Sequence, residues 1–262
     1  MITAPRRPAG PLSAWSALAL LVPTLLAPTL AHADFHIRYP SEIDEGEVEI
    51  EHNGAWSFDH NPTNAQEQSY TAEFGYGVNS WWHPEIELGF ERSAGPDQPT
   101  DLAGVVWENT FRLTEPGEYW ADLGFYFEYA LATEGHAADA TTFGPLLQKD
   151  IGRTTQTLNL FLTKNIGPNS DVHGYDFSYA WQTRWNVWRQ ASPAIEVYGD
   201  AGLIDKVGKL QDQQLLVGPV MLGTLLAGPL GKFKYEAGYL FGATRATSDG
   251  TLRWKLEFEV PL

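Results

Sequence analysis

Glutamates recur at every second position in several stretches of this 262-residue chain. Glu47, Glu49 and Glu51 form one run, Glu85 and Glu87 follow His83 at the same spacing, and Glu257 and Glu259 follow Arg253 and Lys255. In a β-strand that spacing puts all members on one face. A face dense in carboxylates attracts cations by its field alone. Like charges set directly opposite one another repel, so such a face must be hydrated, partly protonated, matched by bases, or occupied by a cation. A hydrated network of ion pairs is the plainer use of the same residues, since structural networks also crowd charges together.

Antiparallel pairing through a short turn near Asn79–Trp81 is expected to bring Glu73 opposite Glu85 or Glu87. The next connection is expected to bring Glu87 near Glu108, and the one after that Glu108 or Thr110 near Asp122, with Arg112 close by and His83 on the same face. If the first and last strands meet, Glu47, Glu49 and Glu51 lie beside Arg253, Lys255, Glu257 and Glu259, where opposite charges could fix the register.

Catalytic use of these groups has little support. His52 falls on an apolar face with Tyr70, Ala72, Phe74, Trp254 and Leu256 as expected neighbours, none of them a nucleophile. His60, His136 and His173 fall in or near connections. A hydrolase at the outer rim could draw on Glu91 and Glu128, but no motif singles them out. There is no metal-ligand spacing, no phosphate loop and no cysteine. The expectation is a non-enzyme without a cofactor.

The elements that carry these residues alternate with period two. From Tyr119 to Leu131 the odd positions are wholly apolar and the even ones are mostly polar or small. Twelve segments read this way: 47–58, 68–78, 82–92, 102–113, 118–131, 142–150, 154–165, 173–187, 194–204, 213–226, 232–244 and 251–261. Pro145 and Pro219 interrupt the sixth and tenth. The connections alternate long and short, which suits long external loops and short periplasmic turns with both termini in the periplasm. Aromatics cluster near segment ends: Trp81, Trp82, Tyr119, Trp185 and Trp188 toward one rim, Trp56, Phe58, Tyr70, Phe90, Tyr129 and Tyr175 toward the other. Two interfacial girdles would account for ten tryptophans in an acidic chain of formal charge −16. That charge argues against nucleic acid and anionic lipid surfaces as partners.

Residues 1–33 read as a cleaved export signal: Arg6 and Arg7, an apolar run, then Ala31-His32-Ala33. Residues 34–46 would hang in the periplasm or fold into the lumen, and 47–262 would form the barrel. The inward glycines Gly75, Gly77, Gly89, Gly104, Gly124, Gly202, Gly238 and Gly242 favour an open lumen; Trp120, Tyr126 and Tyr198 favour a filled one.

On this pattern the whole mature chain resembles bacterial outer-membrane β-barrels, the porins and their smaller relatives. The final strand, Arg253 to Leu262, looks like their terminal assembly signal, although it ends in Pro261-Leu262 rather than an aromatic. The resemblance implies an all-β, closed antiparallel transmembrane barrel in the outer membrane, with the bilayer and the barrel-assembly machinery as partners. The expected function is a channel or facilitator for small polar, cationic solutes. The alternatives are an occluded structural barrel or an outer-rim hydrolase. A soluble lipocalin-like barrel is the competing fold, with about eight strands and its apolar faces inward.

Overall fold

The computed structural model describes residues 35–133, 135, 137–170, 173–226 and 231–262. The expected export signal and His136 lie outside these. Twelve strands follow one another: β1 (Glu47–Phe58), β2 (Gln68–Tyr76), β3 (Trp82–Arg92), β4 (Asp101–Arg112), β5 (Asp122–Ala132), β6 (Asp139–Ile151), β7 (Thr154–Ile166), β8 (Asp176–Trp185), β9 (Ser192–Leu203), β10 (Gln214–Leu226), β11 (Lys232–Gly242) and β12 (Gly250–Pro261). Each pairs antiparallel with its sequence neighbours, and β1 pairs with β12 from Glu47↔Pro261 to Phe58↔Gly250, closing the barrel. Closure leaves no edge strand.

The faces are sorted as a membrane would sort them. Ile50, Phe74 and Phe241 are more than half exposed on the outside. Arg253, Glu196 and Gln182 are fully buried inside. A soluble barrel would invert that arrangement, so the lipocalin-like alternative fails. Rings pack together near the strand ends: Trp81, Trp82 and Phe111 at one rim, Trp56, Phe58, Tyr239 and Phe241 at the other.

Both interrupting prolines sit where one ladder skips. The β6–β7 pairing omits Gly144 and Pro145, and the β10–β11 pairing omits Gly218 and Pro219. Proline cannot donate to a ladder, so each Gly-Pro step falls at a local gap.

One connection departs from the expected layout. The β4–β5 turn runs over 113–121, so β5 begins at Asp122 instead of 118. Gly117, at φ +77°, donates its N–H to Asp122 Oδ1 at 2.6 Å, and Leu123 donates to Thr114 Oγ1 at 2.8 Å. These bonds complete the turn before strand pairing starts. Trp120 is consequently on the outside of this turn, beside Lys149, and does not fill the lumen as expected.

Of the two placements expected for the N-terminal segment, the structure has residues 35–43 inside the barrel and 44–46 at its rim. Gly46 is tied at the rim, donating to Gly77 O at 2.8 Å. From there the chain turns back into the lumen, where His36, Ile37 and Arg38 are buried. Phe35 reaches Tyr198 on β9, ring centroids 5.7 Å apart.

Candidate functional site: a plugged acidic lumen

The strand register lines carboxylates up across neighbouring strands. Glu257, Glu51, Glu73 and Glu87 face one another in sequence on β12, β1, β2 and β3. Glu85, Glu108 and Glu128 do the same on β3, β4 and β5. Directly opposed like charges are unfavourable unless donors or cations intervene. Asn53 supplies one remedy: its amide nitrogen donates to Glu51 at 2.6 Å and to Glu73 at 2.7 Å. Thr71 adds a bond to Glu73 at 2.5 Å. Lys255 pairs with Glu51, and Lys234 with Glu257 at 2.8 Å and Glu259 at 2.6 Å.

The plug supplies the remedy on β4. Arg38 pairs with Glu108 at 2.5 Å and lies over the Tyr126 ring, 4.2 Å from its centroid. Its backbone is clamped by Asn159 of β7: Arg38 N donates to Oδ1 and Asn159 Nδ2 donates to Arg38 O, both at 2.9 Å. Tyr39 donates to Glu236 at 2.8 Å and accepts from Gln182 at 2.9 Å. Lys234 holds Glu42 at 2.8 Å and Lys232 holds Asp44 at 2.9 Å. The hydrogen bond from Lys232 keeps the Asp44 carboxyl below its ordinary range.

Two inward glycines make room for this segment. A Cβ on Gly124 would lie 2.6 Å from Pro40 Cβ, and one on Gly77 would lie 1.9 Å from Asp44 O. These glycines therefore admit the plug and do not widen an open lumen.

Cavities lie on both sides of the plug. One of about 130 Å³ is bounded by Phe35, Arg38, Tyr126 and Tyr198, and its lining includes Glu87, Glu91, Glu108, Glu128 and Asp200. A second of about 310 Å³ reaches Tyr39, Glu42, Arg184, Lys234 and Glu257. Between them is a smaller space of about 50 Å³ among His36, Glu49, Glu51, Glu73, His83 and Glu85.

The structure brings together most of the residues singled out in the sequence, in a different pattern. Glu73 faces Glu87, as one of two expected registers; Glu108 faces Glu85 and Glu87 faces Val106, yet carboxylate oxygens of Glu73, Glu87 and Glu108 lie within 4.8 Å of one another, so Glu87 is near Glu108 as expected. Asp122 is not in the cluster. It faces Gln148 at the rim, and Glu128 takes the place opposite Glu108, because the long 113–121 turn shifts the β4–β5 register. Arg112 does not match carboxylates; it donates to the plug carbonyls of Pro40, Ser41 and Ile43. His83 does join, with Nε2 3.9 Å from Glu49.

At the seam, direct opposition pairs like with like, Glu51↔Glu257 and Glu49↔Glu259. The opposite-charge contact is the diagonal Lys255–Glu51 pair. Arg253 does not cross to β1. It is held by Glu196 of β9 and, at 2.7 Å, by Glu236 of β11. Glu47 pairs with Lys232 instead. His36, Arg38 and Tyr39, with their partners Asn159, Gln182 and Glu236, form much of the site and carried no sequence signal beyond inward-facing polarity.

No protein-family model matches the chain, and no curated protein matches it. Solved structures that it resembles include a bacterial polysaccharide outer membrane secretin, at 8% identity and TM-score 0.42 over 84% of this chain and 99% of that one. Another is OccK11 (OpdR) of Pseudomonas aeruginosa, at 14% identity and TM-score 0.36 over 85% of this chain and 68% of that one. At such values no residue role transfers between them. The chain's own strand order, apolar exterior and charged interior make it, in architecture, a closed twelve-stranded antiparallel barrel of the transmembrane kind.

Proposed function

We propose that this chain spans the outer membrane as a narrow channel for small polar, cationic solutes, closed at rest by its own N-terminal segment. The apolar outer belt and aromatic rims support the membrane placement. The observation that carries the channel reading is the cavity above the plug: five carboxylates line it, against the Arg38 guanidinium already paired with Glu108. A ring of acids in a confined lumen concentrates cations and repels anions. The plug lies between this cavity and the larger one on the other side, so its movement would join them.

Planar-bilayer conductance in a KCl gradient tests this. Deleting residues 35–43 is expected to convert a silent barrel into a steady cation-selective pore, and Glu87→Gln with Glu128→Gln to reduce the selectivity. A folded, plug-deleted barrel that passes no current would sink the reading. The second reading, an occluded structural barrel, draws on the two-way Asn159–Arg38 clamp, which would suit a segment that never leaves.

A further inference from the structure

We infer that the plug is latched to the barrel wall by a divalent transition-metal ion of the Zn²⁺ class, bound by His36 of the plug, Glu51 of β1 and Glu73 of β2. One ring nitrogen of His36 and one oxygen of each glutamate lie within 4.8 Å of one another, and all three residues are buried. An imidazole with two carboxylates is a ligand set that first-row divalent ions accept. Bonds of about 2.0–2.2 Å put tetrahedral ligands roughly 3.4 Å apart, so a side-chain adjustment of about an ångström completes the set.

A second observation points to the same space. His83 of β3 is 92% buried, and its Nε2 has no hydrogen-bond partner. It lines the same small cavity as His36, Glu51 and Glu73. A buried imidazole nitrogen without a partner is costly unless something binds it. It borders this space from β3 without belonging to the three-ligand set.

The surroundings are those of a metal site. Metal-binding carboxylates are typically oriented by further hydrogen bonds. Asn53 holds both Glu51 and Glu73, and Thr71 holds Glu73. Glu49 and Glu85 border the cavity too, and the cations that line it, Arg38, Lys234 and Lys255, are paired with Glu108, with Glu42 and Glu257, and with Glu51, so a dication would offset the acid that remains. Because His36 comes from the plug and the glutamates from the wall, the ion ties the two together. This inference stands whether or not the barrel conducts.

The test uses the refolded chain in detergent, stripped with chelator, dialysed against Zn²⁺ and analysed by elemental mass spectrometry. One tightly held Zn²⁺ per chain is expected in the parent. His36→Ala should lose it while the barrel stays folded by heat-dependent gel mobility, since His36 is not part of the wall. Glu73→Gln should weaken binding about ten-fold or more, and serves if His36→Ala fails to fold. The exposed Asp59–His60–Asp249 group is the control for adventitious binding, and His60→Ala should leave the tight ion in place. Cu²⁺ loaded in place of Zn²⁺ should show imidazole nitrogen hyperfine splitting that His36→Ala reduces. Absence of a tight ion in the parent, or its survival in both His36→Ala and Glu73→Gln, overturns the latch.

Discussion

The two halves of the lumen wall handle buried charge differently. From β8 to β12 acids and bases interleave. Arg253 sits between Glu196 and Glu236, Lys234 between Glu257 and Glu259, and Gln182 and Tyr198 complete the bonding of Glu196. From β1 to β5 the wall presents rows of facing glutamates. Its inward Arg112 is committed to the plug backbone and the Nε2 of its His83 has no hydrogen-bond partner. One wall is electrostatically complete. The other draws cations from outside itself, Lys255 of β12 at Glu51 and Arg38 of the plug at Glu108. The plug is thus part of the wall's chemistry as well as an obstruction, and its polarity matches: its cation meets the acidic wall, and Glu42 and Asp44 meet the lysines of β11.

That comparison can be broken most sharply at Arg253. Replacing it with Met leaves Glu196 and Glu236 buried without their cation, and the sheet offers no escape to water. The expected loss is about 3–5 kcal/mol, read from urea unfolding of the barrel in lipid vesicles. A loss under about 1 kcal/mol would mean that the interleaved wall is not self-sustaining.

Arg38→Met removes the cation borrowed from the plug. Here the cost is capped, because the plug can leave and Glu108 can rehydrate. Barrel stability should fall by about 1–3 kcal/mol, with conductance appearing and amide exchange at 35–43 accelerating. Unchanged exchange would show that the acidic wall does not depend on the plug. Gly124→Ala should press on Pro40 and loosen the plug by about 1–2 kcal/mol, the usual cost of overpacking. The same exchange measurement, with the barrel melt unchanged, checks it.

The smallest effect lies outside the lumen. His60 in the β1–β2 loop bonds Asp249 in the β11–β12 loop at 2.8 Å. That bond raises the His60 pKa above its ordinary value and lowers that of Asp249. The His60 contribution is fully present below the ordinary histidine value and is lost as pH rises through the raised one. The Asp249 contribution is present above the ordinary carboxylate value and is lost as pH falls through the lowered one. The loops should therefore be held best at mildly acidic pH. His60→Ala should flatten the pH dependence of proteolytic nicking in the 59–67 loop, and a persistent dependence would assign it elsewhere.

The barrel was legible because period two, turn spacing and rim aromatics are local properties of a chain with water on one face and lipid on the other. β1 and β3 begin and end where their alternation does, at Glu47–Phe58 and Trp82–Arg92. The site was legible only by face. Which glutamate meets which depends on register, and one long turn at 113–121 exchanged Asp122 for Glu128. The plug was legible only as one of two placements for residues 34–46. Phe35-His36-Ile37-Arg38-Tyr39-Pro40 has no period, and its placement comes from partners 70 to 197 positions away, Glu108 and Glu236 among them. Two inward glycines, Gly77 and Gly124, recorded it indirectly, as space taken by Asp44 and Pro40.

The seam between β1 and β12 has a consequence in time. Every other ladder joins neighbouring segments, but this one joins Glu47 to Pro261, and loop-closure entropy makes such distant pairing slow. Until β12 is complete, β1 exposes an unpaired edge of twelve residues that is ready to join a foreign strand. The plug, attached directly to β1, waits for walls that do not yet exist. A chain built this way has its most vulnerable interval at the very end of folding, when a catalyst that shelters both free edges would matter most.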